Sequence, residues 1–389
     1  MNKHFDVVIV GAGAAGLMCA MEAGRRSRRV LVLEKADRAG RKIRISGGGK
    51  SNFTNLYVSA DNYLSHNPHF CKSALARYTP WDFMGLMSRH GLTWEEREHG
   101  QLFCEQGATA IVDMLLQECT QAGVELSYDS EISYLKKQEY FELQTMQGAY
   151  TCASLVVATG GPSIPRMGST DFGVQVAKQF GLKSIPFKPA LVPFTFPSGF
   201  LKDLAGISLE AEVSCNGTAF REQLLITHRG LSGPVILQIS SYWNKGDAIV
   251  IDLLPGMDAA DWLKAEQGAR PSVLLKTVLA EKLPRRLAQA LCERLFTDQP
   301  LQQFQQKKLD EIGATLNGWR LFPAGTEGMR TAEVATGGVD TNELSSRTLE
   351  AKKQPGLYFI GETVDVTGQL GGYNFQWAWA SGWCAGQFV

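Results

Sequence analysis

The chain has no C-x-x-C pair, no apolar run of membrane-spanning length and no net charge, and each absence removes a class of function. Its eight cysteines, at positions 19, 71, 104, 119, 152, 215, 292 and 384, are scattered. That pattern argues against a zinc site or a disulfide framework and fits a reducing cytosol. No stretch approaches the roughly 20 apolar residues a spanning helix needs, and residues 5–10 lead straight into a folded pattern rather than a signal peptide. Lys and Arg number 39, as do Asp and Glu, so no global field favours a polyanion or an anionic membrane. A cytoplasmic location is expected. What the chain does have is 389 residues, 44% of them hydrophobic, and 40 glycines. Two or three folded units with many tight turns follow from that.

The strongest signal is at the start. Phe5 to Val10 is a β-branched, apolar run that reads as a strand buried on both faces, and Gly11, Gly13 and Gly16 follow it as G-x-G-x-x-G. The first glycine permits the tight turn, and the second lets backbone approach a pyrophosphate. The third lets the next helix pack closely with its N-terminus aimed at negative charge. A second strand, Val30–Leu33, ends in Glu34, where a carboxylate accepts from ribose hydroxyls. An acid there suits an unphosphorylated ribose, so FAD or NAD fits better than NADP.

After Glu34, Gly40 and Gly47 to Gly49 mark irregular backbone, and Arg41, Lys42, Arg44 and Lys50 set positive charge beside it. Free N–H groups and cations are what a diphosphate and an electron-rich flavin ring require, with Asn52 and Asn55 as donors to ring carbonyls. The same residues also suit a mobile basic surface loop. Helices are expected over 70–77, 81–89 and 108–122, then antiparallel strands over 124–157 that end in the buried run before Ala158-Thr159-Gly160-Gly161. From about Pro186 the texture changes to short strand-like runs, a small β domain. Within it, His228 and Arg229 precede Gly230-Leu-Ser-Gly-Pro234 and the start of a helix. They form a polar pair for a cleft or, equally, a capping loop.

Residues 258–317 read as several helices, including one over 301–309. Residues 263–320 hold ten Lys/Arg against six Asp/Glu, a balance of +4. Lys276, Lys282, Arg285 and Arg286 cluster there, either as a solvated face or as a contact surface for RNA phosphate. The last strand, 356–360, runs into Gly361-Glu-Thr-Val-Asp365, where Asp365 can bond a ribitol hydroxyl. The helix opening near Gly371–Phe375 would place N–H groups and a positive dipole end at a flavin. Trp377 and Trp379 read as core.

Taken together, these motifs resemble one family, the YhiN/BaiN-like FAD-dependent oxidoreductases, over essentially the whole chain. Residues 67–78 and 340–348 resemble its YhiN branch. The resemblance implies an α/β fold: a Rossmann-type FAD-binding domain interrupted by a β-barrel-like domain that carries a helical insert. The boundaries expected are 1–188 and 339–389 for the FAD domain, 189–258 and 318–338 for the β domain, and 259–317 for the insert. It also implies FAD contacts at Gly11, Gly13, Ala14, Ala15, Glu34 and Lys35, at Gly48 and Ile132, and at Ala158, Thr159 and Gly160. Near the C-terminus it implies contacts at Gly361, Asp365, Gly372, Tyr373, Asn374 and Phe375. The family loop usually reads Gly-Gly-Gly-Arg-Cys-Asn, whereas this chain has Gly49-Lys50-Ser51-Asn52. If the cysteine is a proton donor in relatives, Ser51 is a far weaker one.

The activity implied is reduction of a uracil C5–C6 bond in large-subunit (23S) ribosomal RNA to dihydrouridine, with His228 as candidate acid and Arg229 polarising a carbonyl. A small-molecule flavin oxidoreductase, an enone reductase or amine oxidase, is the alternative. No second G-x-G-x-x-G follows residue 161, so NAD(P)H would visit as a transient reductant or another donor would serve. No metal and no membrane partner are expected.

Overall fold

Phe5, Val7, Val8 and Ile9 are wholly buried, as in a central strand of a sheet covered on both faces; the strand they form, β1 (Lys3–Val10), has a parallel neighbour along each edge. The structure, a computed structural model, describes residues 3–196 and 201–389. The chain divides into two compact units: Met1–Lys188 with Val334–Val389, and Pro189–Glu333.

In the first unit β1 is followed by α1 (Ala14–Arg25), β2 (Val30–Leu33), α2 (Arg41–Ile45), β3 (Asn52–Asn55) and β4 (Tyr63–Leu64). Next come α3 (Lys72–Arg77), α4 (Pro80–Arg89), β5 (Trp94–Glu96), β6 (Gln101–Cys104) and α5 (Ala108–Gln121). The strands β7 (Glu125–Ser127), β8 (Ile132–Lys137), β9 (Phe141–Thr145) and β10 (Gly148–Val157) follow, then α6 (Phe172–Gln179) and β11 (Ser184–Ala190). The main sheet runs β7-β2-β1-β10-β9-β8. β10 is shared lengthwise: residues 148–152 pair antiparallel with β9, and Leu155–Val157 pair parallel with Leu357–Phe359 near the C-terminus.

The expectation of antiparallel strands throughout 124–157 holds for β9 with β8 and with residues 148–152 of β10, but β10 also runs parallel to β1 and, over Leu155–Val157, to Leu357–Phe359. β7 pairs parallel with β2, because α5 is the crossover that returns the chain to the same end of the sheet. The glycine-rich stretch after Gly40 is also more ordered than a mobile loop. It forms α2, a 3-10 turn over Ser46–Gly49 and β3, which joins β6 and β5 in a small sheet.

The second unit is a seven-stranded antiparallel sheet built from β12 (Phe194–Thr195), β13 (Ser208–Cys215), β14 (Thr218–Ile226) and β15 (Gly230–Ser232), then α7 (Pro234–Ser240) and β16 (Ile249–Asp252). Four helices follow, α8 (Ala259–Ala269), α9 (Leu275–Leu279), α10 (Arg285–Arg294) and α11 (Gln306–Asn317), before β17 (Trp319–Leu321) and β18 (Gly325–Thr326). The helix expected over 301–309 is instead a 3-10 turn, Leu301–Gln303, and a separate start of α11. Phe304 and Gln305 are extended, and the Gln267 side chain donates to the carbonyls of Leu301 and Phe304 at 2.7 and 2.9 Å, which ends the first turn.

The chain re-enters the first unit with β19 (Val334–Val339), β20 (Leu357–Phe359), β21 (Thr367–Gly368) and α12 (Tyr373–Gly386). α12 packs along α1 and is apolar nearly all round, as a helix inside a core must be. Trp377 and Trp379 are buried in it, as their sequence context suggests.

Candidate functional site

The nucleotide turn is set by three glycines doing three different jobs. Gly11 adopts φ +106°, and a Cβ there would lie 2.6 Å from the Ala158 carbonyl oxygen. A Cβ on Gly16 would lie 1.9 Å from the Gly11 oxygen, so helix and turn touch backbone to backbone. Gly13 has nothing within 4 Å of a Cβ. It caps α1 without a side-chain bond, so the first-turn N–H groups of α1, including those of Ala14 and Ala15, have no side-chain cap as acceptor. Glu34 is locked beside this turn: Oε2 accepts from Ala12 N and Oε1 from Ala36 N, each at 2.8 Å. Each oxygen keeps acceptor capacity for a hydroxyl. Lys35 reaches Glu131 at 3.6 Å, next to half-buried Ile132 at the start of β8.

A second group of residues lies at the same end of the sheet. Arg41 Nη1 and Lys35 Cε both lie 3.6 Å from where a Gly168 Cβ would be, and Arg41 Nε is buried with no partner. Lys42 donates to Ser163 Oγ at 2.8 Å and to Glu362 Oε2 at 3.2 Å. Glu362 Oε1 accepts from Ala335 N at 3.0 Å and lies 3.1 Å from a Cβ placed on Gly161. Its neighbour Gly361, at φ +63°, touches Ala15 of α1. Thr159 Oγ1 is another buried hydroxyl without a partner, while Gly160 N donates to Thr363 Oγ1 at 3.0 Å. The sequence reading missed Glu362. The signal was available, since it follows Gly361 directly, but only the fold brings its carboxylate against Gly161 and Lys42.

Asp365, chosen from the sequence, is buried, and its Oδ2 accepts from both the backbone N (2.9 Å) and Nδ1 (3.0 Å) of His66. Asn52 bridges elements. In the amide orientation that satisfies both ends, it donates to the carbonyls of Leu102 and Thr54 and accepts from Gly372 N at 3.2 Å. The Asn55 donors go to His99 O and Gly371 O, at 3.0 and 2.9 Å. Asn374 exchanges two bonds with Gly368, both at 2.8 Å. Tyr373 O accepts from Tyr63 Oη, and Phe375 stacks on Trp379. α12, like α1, begins on a glycine with no side-chain cap. Gly48 opens on empty space.

Ser51 differs from the others. It has 0% exposure, φ +52° and an unpartnered Oγ. A hydroxyl with no exposed surface reaches a substrate only if its loop opens. All eight thiols are buried. Burial pushes Cys119 and Cys152 up to about 12, so neither is a nucleophile at neutral pH.

His228 and Arg229 belong to the second unit. They sit in a tight turn closed by Thr227 N donating to Gly230 O at 2.8 Å, and Thr227 Oγ1 accepts from the N–H groups of Arg229 and Gly230. Arg229 pairs with Glu327 at 3.6 Å. His228 is exposed and its ring has no partner among the described residues. On the insert, Lys276 pairs with Asp298 at 2.9 Å and Arg286 donates to Ala205 O at 2.8 Å. Lys282 and Arg285 carry no ion pair among the described residues. No group of three or more His, Cys, Asp or Glu able to hold a metal occurs among those residues, and no helix there is long and apolar enough to cross a membrane.

Two uncapped helix N-termini, buried orphan donors at Arg41 and Thr159, and glycines open at 13 and 48 fit a dinucleotide with a diphosphate. The fold is a Rossmann-type FAD-binding fold. The family described as HI0933-like protein Rossmann domain matches residues 5–388, and the chain belongs to it. The chain is 51% identical to the ribosomal RNA dihydrouridine synthase of Escherichia coli, over 99% of this chain and 98% of that protein. It is 45% identical to the Haemophilus influenzae protein of the same name, over the same shares. It is also 28% identical to the 3-dehydro-bile acid delta(4,6)-reductase of Clostridium scindens, over 100% of this chain and 98% of that protein.

Proposed function

We propose that this protein is an FAD-dependent oxidoreductase that reduces the C5–C6 double bond of a uracil in large-subunit ribosomal RNA, giving dihydrouridine. The observation that carries the reading is 51% identity, end to end, with a protein named for that activity. When bound, the flavin supplies the hydride. This chain's residues then have separable tasks. Gly13 and the first turn of α1 take the diphosphate, with Lys35 and Arg41 as counter-charges. Glu34 takes the adenosine ribose. Glu362 and the free Oδ1 of Asp365 are the carboxylate oxygens offered to the ribitol chain. The positive dipole end of α12, which begins on Gly372 with no side-chain cap, would stabilise negative charge on the reduced ring.

RNA would be met in part by the insert, where Lys282 and Arg285 are the cations with no pair among the described residues. A nicotinamide would reduce the cofactor transiently, or another two-electron donor would. A cytoplasmic enzyme is the setting this substrate requires.

A second reading, an enone reductase acting on a small molecule, is favoured by the full-length likeness to the bile acid reductase. Mapping dihydrouridine in 23S ribosomal RNA from cells with and without the gene separates the two. One uridine that loses its modification on deletion and regains it on complementation supports RNA reduction. An unchanged map rejects it and directs the search to conjugated carbonyls.

A further inference from the structure

We infer that His66, oriented by Asp365, is the acid that protonates the substrate carbon. The inference rests on the function proposed above. Reduction of C5=C6 needs a proton at C5 as well as a hydride at C6, and it needs a donor held in one orientation beside the ring. Two described histidines of the first unit bond a buried carboxylate, His90 to Glu118 and His66 to Asp365, and of the two the His66 imidazole is exposed while that of His90 is mostly covered. His66 Nδ1 lies 3.0 Å from Asp365 Oδ2, and the same oxygen accepts the His66 backbone N–H at 2.9 Å. A carboxylate only accepts, so Nδ1 carries the hydrogen and Nε2 is the position that binds or releases the transferable proton. The carboxylate side chain is 5% exposed and the imidazole 62% exposed. The orienting group is thus buried while the working nitrogen faces outward.

The ribbon that carries the pair leads to the expected ring site. β4 and β21 pair antiparallel with Leu64 opposite Thr367 and Tyr63 opposite Gly368. Continuing that register sets His66 opposite Asp365. Gly368 is tied to Asn374 and Tyr63 to Tyr373 in the first turn of α12. Three residues of ribbon, about 10 Å at ~3.3 Å per residue, therefore separate His66 from that helix mouth. The His66–Asp365 pair thus stands on the ribbon that ends at the helix mouth proposed above for the ring.

In the step assigned to this pair, C6 would take the hydride that bound, reduced FAD supplies. The C5–C6 π electrons form the new C5–H bond with the Nε2 proton, and neutral imidazole is re-protonated by solvent. Ser51 shows no surface, and His228 has no partner to orient it, so neither matches this arrangement.

The test uses full-length, FAD-loaded protein and its variants His66→Gln and Asp365→Asn. Four quantities are read: flavin content, affinity for a 23S RNA fragment, oxidation of the reduced flavin by oxygen, and single-turnover dihydrouridine formation. His66→Gln, which keeps a donor to Asp365, is expected to hold the first three at wild-type values and to slow single turnover at least 100-fold. A fragment carrying 5-bromouridine at the target should photo-crosslink to the peptide containing residues 63–70. Wild-type turnover in His66→Gln, or a crosslink confined to other peptides, overturns the assignment while leaving the function standing. A wild-type protein that makes no dihydrouridine overturns both. Should Asp365→Asn fail to fold, His66→Gln decides alone.

Discussion

A methyl group is the smallest probe of the nucleotide turn, and the three glycines answer it differently. Gly16→Ala would set a methyl 1.9 Å from backbone oxygen, so both melting temperature and flavin content are expected to fall together. Gly13→Ala meets open space and fills the position a diphosphate needs. It should melt like the wild type yet bind FAD about tenfold more weakly or worse, roughly 1.4 kcal/mol. Thermal melts beside flavin titrations check the contrast, and a Gly13→Ala protein with wild-type affinity would remove the diphosphate from this turn. Glu34→Gln replaces a doubly bonded carboxylate. Charged hydrogen bonds contribute about 1.5–3 kcal/mol, so flavin affinity should drop roughly 10- to 100-fold, as read by fluorescence titration.

At the scale of elements, α12 ties the first unit together. Trp379 is wholly buried, stacks between Phe83 and Phe375, and donates to Phe53 O at 2.8 Å. Trp379→Ala leaves a cavity and an unmet carbonyl, which together cost about 3–5 kcal/mol, measurable by urea unfolding. α1, α5 and the end of α4 meet at another cluster, where Arg25 bridges Glu22 and Glu118 and His90 bonds Glu118 at 2.6 Å. Burial pushes the Glu118 carboxyl up, but hydrogen bonds from His90 and Arg25 outweigh it and hold the carboxyl below its ordinary 4.5. A depressed carboxyl stabilises the fold above its unfolded value and loses that contribution as pH falls through the folded one. The stability gap between wild type and Glu118→Gln should therefore be full at neutral pH and close progressively below about pH 4.5. A gap that does not change with pH would contradict this.

For the molecule as a whole, a net charge of zero means RNA affinity has to come from local charge. Lys282 and Arg285 are the places to test it. The double change Lys282→Glu with Arg285→Glu should weaken binding to a 23S fragment several-fold and flatten its salt dependence by about two phosphate contacts, with flavin content unaltered. Filter binding across a salt series measures this, and an unchanged slope would place the RNA elsewhere.

Local patterns in the sequence specify the nucleotide turn, the parallel core strands, the helix opening after Gly371–Gly372 and the two-texture division of the chain. Each depends on residues within one or two turns of one another: β-branched runs, glycines at fixed spacing, an acid after a strand. Tertiary structure decided what long-range pairing controls. It made β7 parallel, split the helix expected over 301–309 through two bonds from Gln267, and buried Ser51 completely. It also set Lys42 against Glu362, and His66 against Asp365, 299 residues apart. No period or spacing along the chain encodes such a pair, because the two residues meet only when β4 and β21 zip together.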